Sequence, residues 1–209
     1  MRHWVFLVGL ELMAANVRVI DFDALPVGAM PPGWSVAMAH EGSPPRWEVR
    51  KDATAPTQPY VLARVSHDPS GDRYPLALLD GVTLRDGDVS VRIKPVAGND
   101  EQSGGLVWRY RDPLNYYLVR VNAADKTVAV FRVQNGQSPA MLASAKHDVP
   151  ANAWSILKIS ARGARFQVYL DHRRILEGQD NTFTGPGKVG LCTVAESEVY
   201  FDDFRVNPR

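Results

Sequence analysis

Cysteine is almost missing from this chain: among 209 residues only Cys192 occurs. One thiol makes no intrachain disulfide and no cysteine-cluster zinc site. It stands in the apolar run Val189-Gly190-Leu191-Cys192-Thr193-Val194. That setting predicts a buried inert thiol, because a reactive one needs exposure and a depressed pKa. A surplus of one charge is missing as well. Lys plus Arg is 24 and Asp plus Glu is 23, a formal charge of +1. No overall field therefore draws in nucleic acid or an anionic membrane, although a local basic patch stays open. The five histidines, His3, His40, His67, His147 and His172, lack metal-ligand spacing. There is no GxSxG elbow, P-loop or dinucleotide fingerprint. Gly185-Pro186-Gly187 reads as a turn and not a phosphate cradle. No repeat of about 20–50 residues appears, which excludes a propeller or solenoid.

The start of the chain reads differently from the rest. Met1-Arg2-His3 precedes the apolar run Trp4-Val5-Phe6-Leu7-Val8-Gly9-Leu10, and small residues follow at Ala14-Ala15. A basic start, a short apolar core and small residues resemble a secretory signal peptide, though Glu11 interrupts the run. The alternative is an N-terminal extension packed on the domain. The first reading implies a secreted or periplasmic protein. No other stretch approaches the ~20 residues of a membrane span.

What is present is a hydrophobic fraction of 45% with 22% charged residues, the composition of a globular chain. From Val17 onward the period is two, not 3.6. Asp88-Val89-Ser90-Val91-Arg92-Ile93-Lys94 alternates cleanly, and so does Arg165-Phe166-Gln167-Val168-Tyr169-Leu170. About fourteen such short strands are separated by Pro-, Gly-, Asn- and Asp-rich turns. Composition shifts nowhere, so one domain is expected over 17–207. The class is all-β, a sandwich or barrel. Trp34, Trp47 and Trp154 flank strand starts and are expected in the core, with Trp47 the one most open to a ligand role behind Pro44-Pro45-Arg46.

Two blocks carry a resemblance. The first is Ser103-Gly104-Gly105-Leu106-Val107-Trp108-Arg109-Tyr110-Arg111-Asp112-Pro113-Leu114-Asn115-Tyr116-Tyr117-Leu118-Val119-Arg120. The second is the order Trp154, Val168-Tyr169-Leu170-Asp171, Gly185-Pro186-Gly187-Lys188-Val189-Gly190-Leu191 and Val199-Tyr200-Phe201-Asp202-Asp203-Phe204-Arg205-Val206. Together they resemble the laminin-G-like, concanavalin A-like jelly rolls. That superfamily includes the 3-keto-disaccharide hydrolase-type domain (DUF1080) and carbohydrate-binding modules attached to glycosidases. The resemblance implies a two-sheet antiparallel β-sandwich with a ligand on its concave sheet or rim loops. As a guide to function it is weaker than as a guide to fold, since this sandwich hosts lectins, glycanases and adhesive domains.

Alternation through the first block places Leu106, Trp108 and Tyr110 on one face, and Val107, Arg109 and Arg111 on the other. On the next strand Tyr116, Leu118 and Arg120 share a face. Unpaired buried charge is too costly, so Arg109, Tyr116 and Arg120 are expected together on the outer face, with Arg92 and Lys94 joining them. A ring to stack on a pyranose and guanidinium forks for vicinal hydroxyls suit a sugar. The alternative is a solvated sheet face. The rim loop before the first block offers Asp100 and Glu101 as further acceptors, or is simply a polar turn.

Glycosidase chemistry needs two carboxyl groups about 5–9.5 Å apart. Only seven glutamates occur, and the one close pair, Glu196 and Glu198, lies in an expected turn. The keto-disaccharide group carries an acidic residue and a glutamine on the strand after its Gly-rich block, whereas Tyr116-Tyr117-Leu118-Val119-Arg120 has no carboxylate. No catalytic residue is therefore assigned. For a metal, Asp21 and Asp23 near the start and Asp202 and Asp203 near the end would converge if the first and last strands pair, and hard oxygen ligands there would suit a structural Ca2+. The alternative is edge-strand aspartates capping turns. Otherwise no cofactor is expected. The leading expectation is a non-catalytic carbohydrate-binding domain. A glycoside-processing enzyme and a protein-interaction domain are the other readings.

Overall fold

Period-two sequence becomes paired strand wherever one face can be buried, and this chain does so almost throughout. The computed structural model describes residues 17–39, 43–65, 73–98 and 101–209. Among these residues the strands are β1 (Arg18–Ile20), β2 (Trp34–Ala39), β3 (Trp47–Lys51), β4 (Tyr60–Arg64), β5 (Tyr74–Leu84), β6 (Gly87–Ala97), β7 (Ser103–Asp112), β8 (Asn115–Asn122), β9 (Thr127–Val133), β10 (Ala140–Lys146), β11 (Ser155–Arg162), β12 (Arg165–Leu170), β13 (Arg173–Gln179), β14 (Gly187–Thr193) and β15 (Glu198–Pro208). No helix occurs among them, so none is long and apolar enough to cross a membrane.

All pairings are antiparallel and form two sheets. The eight-stranded sheet runs β13-β12-β11-β6-β15-β4-β3, with β1 beside β15; the seven-stranded sheet runs β10-β9-β8-β7-β14-β5-β2. The first and last strands do pair, Ile20 opposite Phe204. The expected two-sheet β-sandwich is what forms. β13 was not foreseen, because Arg-Arg-Ile-Leu-Glu-Gly-Gln lacks alternation and holds a glycine.

The core lies between the sheets. Val89, Val91 and Ile93 of β6 face Leu106, Trp108 and Val119 from the other sheet within one apolar cluster. Each such side chain removed from water contributes roughly 1.5–3 kcal/mol. Trp108 stacks on Tyr117 at 5.2 Å, and Trp34 meets Phe204 edge-on at 5.2 Å. Trp47 is buried beside Phe201 as a core residue. Trp154, expected in the core, is half-buried instead, with Lys94 over its ring and its indole N–H donated to Thr54. Cys192 is fully buried, and burial pushes its thiol up to about 12.

Candidate functional site

The seven-stranded sheet presents a second apolar cluster on its outer face, away from the sandwich interior. Leu76 and Leu78 of β5, Val107 and Tyr110 of β7, Tyr116 and Leu118 of β8, and Phe131 of β9 belong to it. Alternation puts Arg120 and Asn122 of β8 on the same face, four and six residues beyond Tyr116. The guanidinium of Arg120 rides 5.1 Å above the Phe131 ring. Its Nη1 donates to Glu101 Oε1 at 3.1 Å and Oε2 at 3.0 Å. Asn122 Nδ2 donates to Glu101 Oε2 at 2.8 Å. The Ser197 hydroxyl ties down the same corner, donating to the Glu101 carbonyl at 2.8 Å and accepting from the Ser103 N–H at 3.0 Å. Two buried polar atoms on this face stay without a hydrogen-bond partner, Tyr116 Oη and Arg120 Nε. Burial lifts the Tyr116 phenol well above the ordinary tyrosine range.

Arg109 does not join them. Register runs Val107↔Leu118 and Trp108↔Tyr117, then slips to Asp112↔Asn115, so β7 carries extra residues there. Arg109 sits in this bulge with a φ of 50°. A bulge re-aims side chains, and alternation shifts past it. Tyr110 therefore turns to the outer face, where its ring lies 5.8 Å from that of Tyr116, contrary to the expectation that groups it with Trp108. Arg109 itself is buried. It donates to the carbonyls of Arg85 (3.0 Å), Phe183 (2.7 Å) and Gly163 (2.7 Å), and reaches Asp86 at 3.2 Å. Burial lowers the guanidinium pKa from its ordinary value, with Asp86 opposing. The charge that argued for an outer position is instead accommodated by three backbone acceptors and a carboxylate.

Arg92 belongs to the other side of the molecule. It does point away from Val91 and Ile93, but β6 lies in the eight-stranded sheet, and Arg92 pairs there with Asp203 at 2.9 Å. Glu101 and Arg120 are thus brought together with Tyr116 on one face, while Arg109 and Arg92 leave the set. Asp100 lies outside the described residues. Asn122, Tyr110 and Phe131 were missed. Asn122 follows Arg120 at a spacing of two, the one signal that alternation offered.

The four aspartates considered for a metal are each held by protein donors. Asp21 accepts the Asp23 N–H at 3.2 Å, and Asp23 accepts the Tyr60 N–H at 3.0 Å. Asp202 accepts from Thr57 N at 2.9 Å, Thr57 Oγ1 at 2.8 Å and Asp203 N at 2.7 Å. Asp203 pairs with Arg92 and Arg205. Among the described residues no three His, Cys, Asp or Glu side chains gather as a metal-binding group. All four aspartates are thus engaged in turn capping or ion pairing.

No protein-family model matches the chain. A levanase of Bacillus subtilis (strain 168) is 31% identical over 123 residues, which are 58% of this chain and 17% of that enzyme. The match thus spans under a fifth of the levanase's length. Among solved structures, a carbohydrate-binding module, CBM66 of Bacillus subtilis, superposes with a TM-score of 0.65 at 25% identity, covering 84% of this chain and 96% of the module. A β-glucanase of Bacillus licheniformis superposes at a TM-score of 0.61 over 95% of this chain and 100% of its own, at 12% identity, a likeness of fold alone. The resemblance to concanavalin A-like sandwiches and to glycosidase-associated carbohydrate-binding modules, expected from the two sequence blocks, is borne out.

Proposed function

We propose that this chain is a non-catalytic carbohydrate-binding domain whose ligand lies on the outer face of the seven-stranded sheet. The observation that carries the reading is its likeness to the CBM66 module over 84% of this chain and 96% of the module. The geometry supplies a chemistry that suits it. Arg120, Glu101 and Asn122 form a polar corner of donors and acceptors, and Tyr110, Tyr116 and Phe131 supply rings beside it. Sugars take this combination, hydrogen bonds to hydroxyls beside an apolar surface for C–H faces. The Arg120 and Glu101 side chains keep 16% and 26% of their surface exposed, so this corner is open to a ligand. The matched segment of the levanase makes levan the first ligand to try. Export, expected from residues 1–16, belongs to this proposal, because a polymeric glycan is met outside the cytoplasm.

The test is calorimetric titration of levan and other neutral glycans into the chain and into Arg120→Ala. Binding by the parent, weakened about tenfold or more by the substitution, supports the reading, since truncating one member of a charge-assisted network strips its hydrogen bonds. Undiminished binding by Arg120→Ala moves the ligand off this face. Absence of binding to every glycan overturns the function.

A further inference from the structure

The eight-stranded sheet has an outer face of its own, and its chemistry is different. Arg162 and Arg165 flank the turn that joins β11 to β12 and lie directly opposite each other in the register. Opposed residues of an antiparallel pair stand about 5 Å apart at Cβ, where like charges repel. Both are exposed, and among the described residues neither has an acidic partner. A third guanidinium, Arg209, reaches the same place, held to Asp88 at 2.6 Å. These three arginines line a groove of about 500 Å³ together with Ser160, Gln167 and Gln179. Its one carboxylate, Glu177, is occupied by Arg174 at 3.2 Å and Gln167 at 3.3 Å.

The turn that carries the arginine pair is fixed from beneath. Gly163 donates its N–H to Asp86 at 2.8 Å and gives its carbonyl to the buried Arg109 at 2.7 Å. The repulsion is thus not relieved by letting the turn move. A second groove of about 340 Å³ continues along β11, where Lys158 and Ile156 replace Arg162 and Ser160; its carboxylate, Asp203, is taken by Arg92 at 2.9 Å and Arg205 at 3.2 Å, which leaves Lys158 as its cation for a ligand. From Ile156 to Arg162 the strand runs about 20 Å. Lys158, Ser160 and Arg162 thus follow one another on the outer face of β11, on a chain whose net charge is only +1.

We propose that this face binds an acidic polysaccharide, a linear glycan bearing carboxylates, laid along β11 with its anionic groups on the Arg162–Arg165–Arg209 cluster and on Lys158. Guanidinium forks pair with carboxylates bidentately, and the serine and glutamines between them match hydroxyls. The surface offers single-stranded nucleic acid no row of exposed aromatic rings to stack on: Phe166 is buried, and Tyr169 carries Lys158 Nζ 4.1 Å over one face. This site is separate from the seven-stranded face and does not depend on it.

Gel retardation and titration with polygalacturonate, levan and a short DNA duplex test the proposal on three forms: the parent, Arg162→Glu/Arg165→Glu, and Arg120→Ala. Polygalacturonate retards the parent and Arg120→Ala, and its affinity falls at least about tenfold in the charge-reversed pair. About 0.5 M NaCl weakens it strongly, as expected for exposed charges. The charge-reversed pair keeps whatever levan binding the parent has, so a failure on one face is told from a failure on the other. A single Arg165→Glu, which turns the opposed pair attractive, holds or raises the melting temperature and shows that any lost binding is not lost folding. No retardation by polygalacturonate, equal retardation of the charge-reversed pair, or DNA bound as tightly with the same dependence on these arginines overturns the proposal.

Discussion

The Arg109 guanidinium donates to the Gly163 carbonyl at 2.7 Å, a bond that joins β7 of one sheet to the β11–β12 turn of the other. The same group holds the Arg85 and Phe183 carbonyls, so one side chain of β7 clasps three other segments at one end of the sandwich. Arg109→Met keeps the stem and removes every donor. It leaves those carbonyls without this donor and Asp86 with the Gly163 N–H in place of a cation, and is expected to cost about 3–5 kcal/mol. Urea unfolding gives the number. Glycan affinity at saturating fold is expected to stay with Arg120, so a variant that folds but binds normally separates the clasp from the ligand face.

Gly187 meets the same bulge from the neighbouring strand. A Cβ there would lie 2.4 Å from the Arg109 carbonyl carbon and 2.8 Å from the Tyr110 nitrogen, both backbone atoms that cannot swing away. Gly187→Ala therefore forces β14 off β7. A loss of about 2–4 kcal/mol is expected, in the range of forced overpacking with broken ladder bonds. The lost bonds would show as faster amide exchange in β14 and β7.

How far the sequence reached is seen at this bulge. Alternation assigned Leu106, Val107 and Trp108 to their faces, and assigned Tyr116, Leu118 and Arg120 together, all as the sheet has them. It misassigned Arg109 and Tyr110, because period-two reading assumes an unbroken ladder and the extra residues at φ 50° for Arg109 carry no turn residue to announce them. Arg92 failed for another reason. Its facing away from Val91 and Ile93 was legible, but which sheet receives β6 is set by long-range pairing with β11 and β15. The group that caps Asp202 lies far along the chain. Thr57, 145 residues from Asp202, is invisible to local spacing.

Asp202 makes a pH dependence. It is fully buried, and that burial raises its carboxyl from the ordinary 3.8 to about 6, against the hydrogen bonds from Thr57. The folded state thus binds a proton that the unfolded state releases between those values. Stability from this group is greatest at low pH and is lost as pH rises toward 6. Asp202→Asn removes the titration. Its stability relative to the parent should improve between pH 4 and pH 7 by on the order of 3 kcal/mol, at about 1.4 kcal/mol per pKa unit. Denaturant midpoints measured for both forms across that window check the slope. Parallel curves would refute it.

Tyr116 separates packing beneath the ligand face from binding on it, because only stability is expected to move. Its hydroxyl is buried with no partner, and an unmade hydrogen bond of that kind costs about 1–3 kcal/mol. Tyr116→Phe removes the cost while keeping the ring beside Tyr110. The variant is expected to melt higher than the parent. The hydroxyl is fully buried beneath the face, out of a ligand's reach, so the same variant should bind glycan as the parent does, with the ligand held by the Arg120 and Glu101 corner. A several-fold loss of glycan affinity, the size expected for one hydrogen bond of about 1 kcal/mol, would show instead that the face opens to bring the hydroxyl to the ligand.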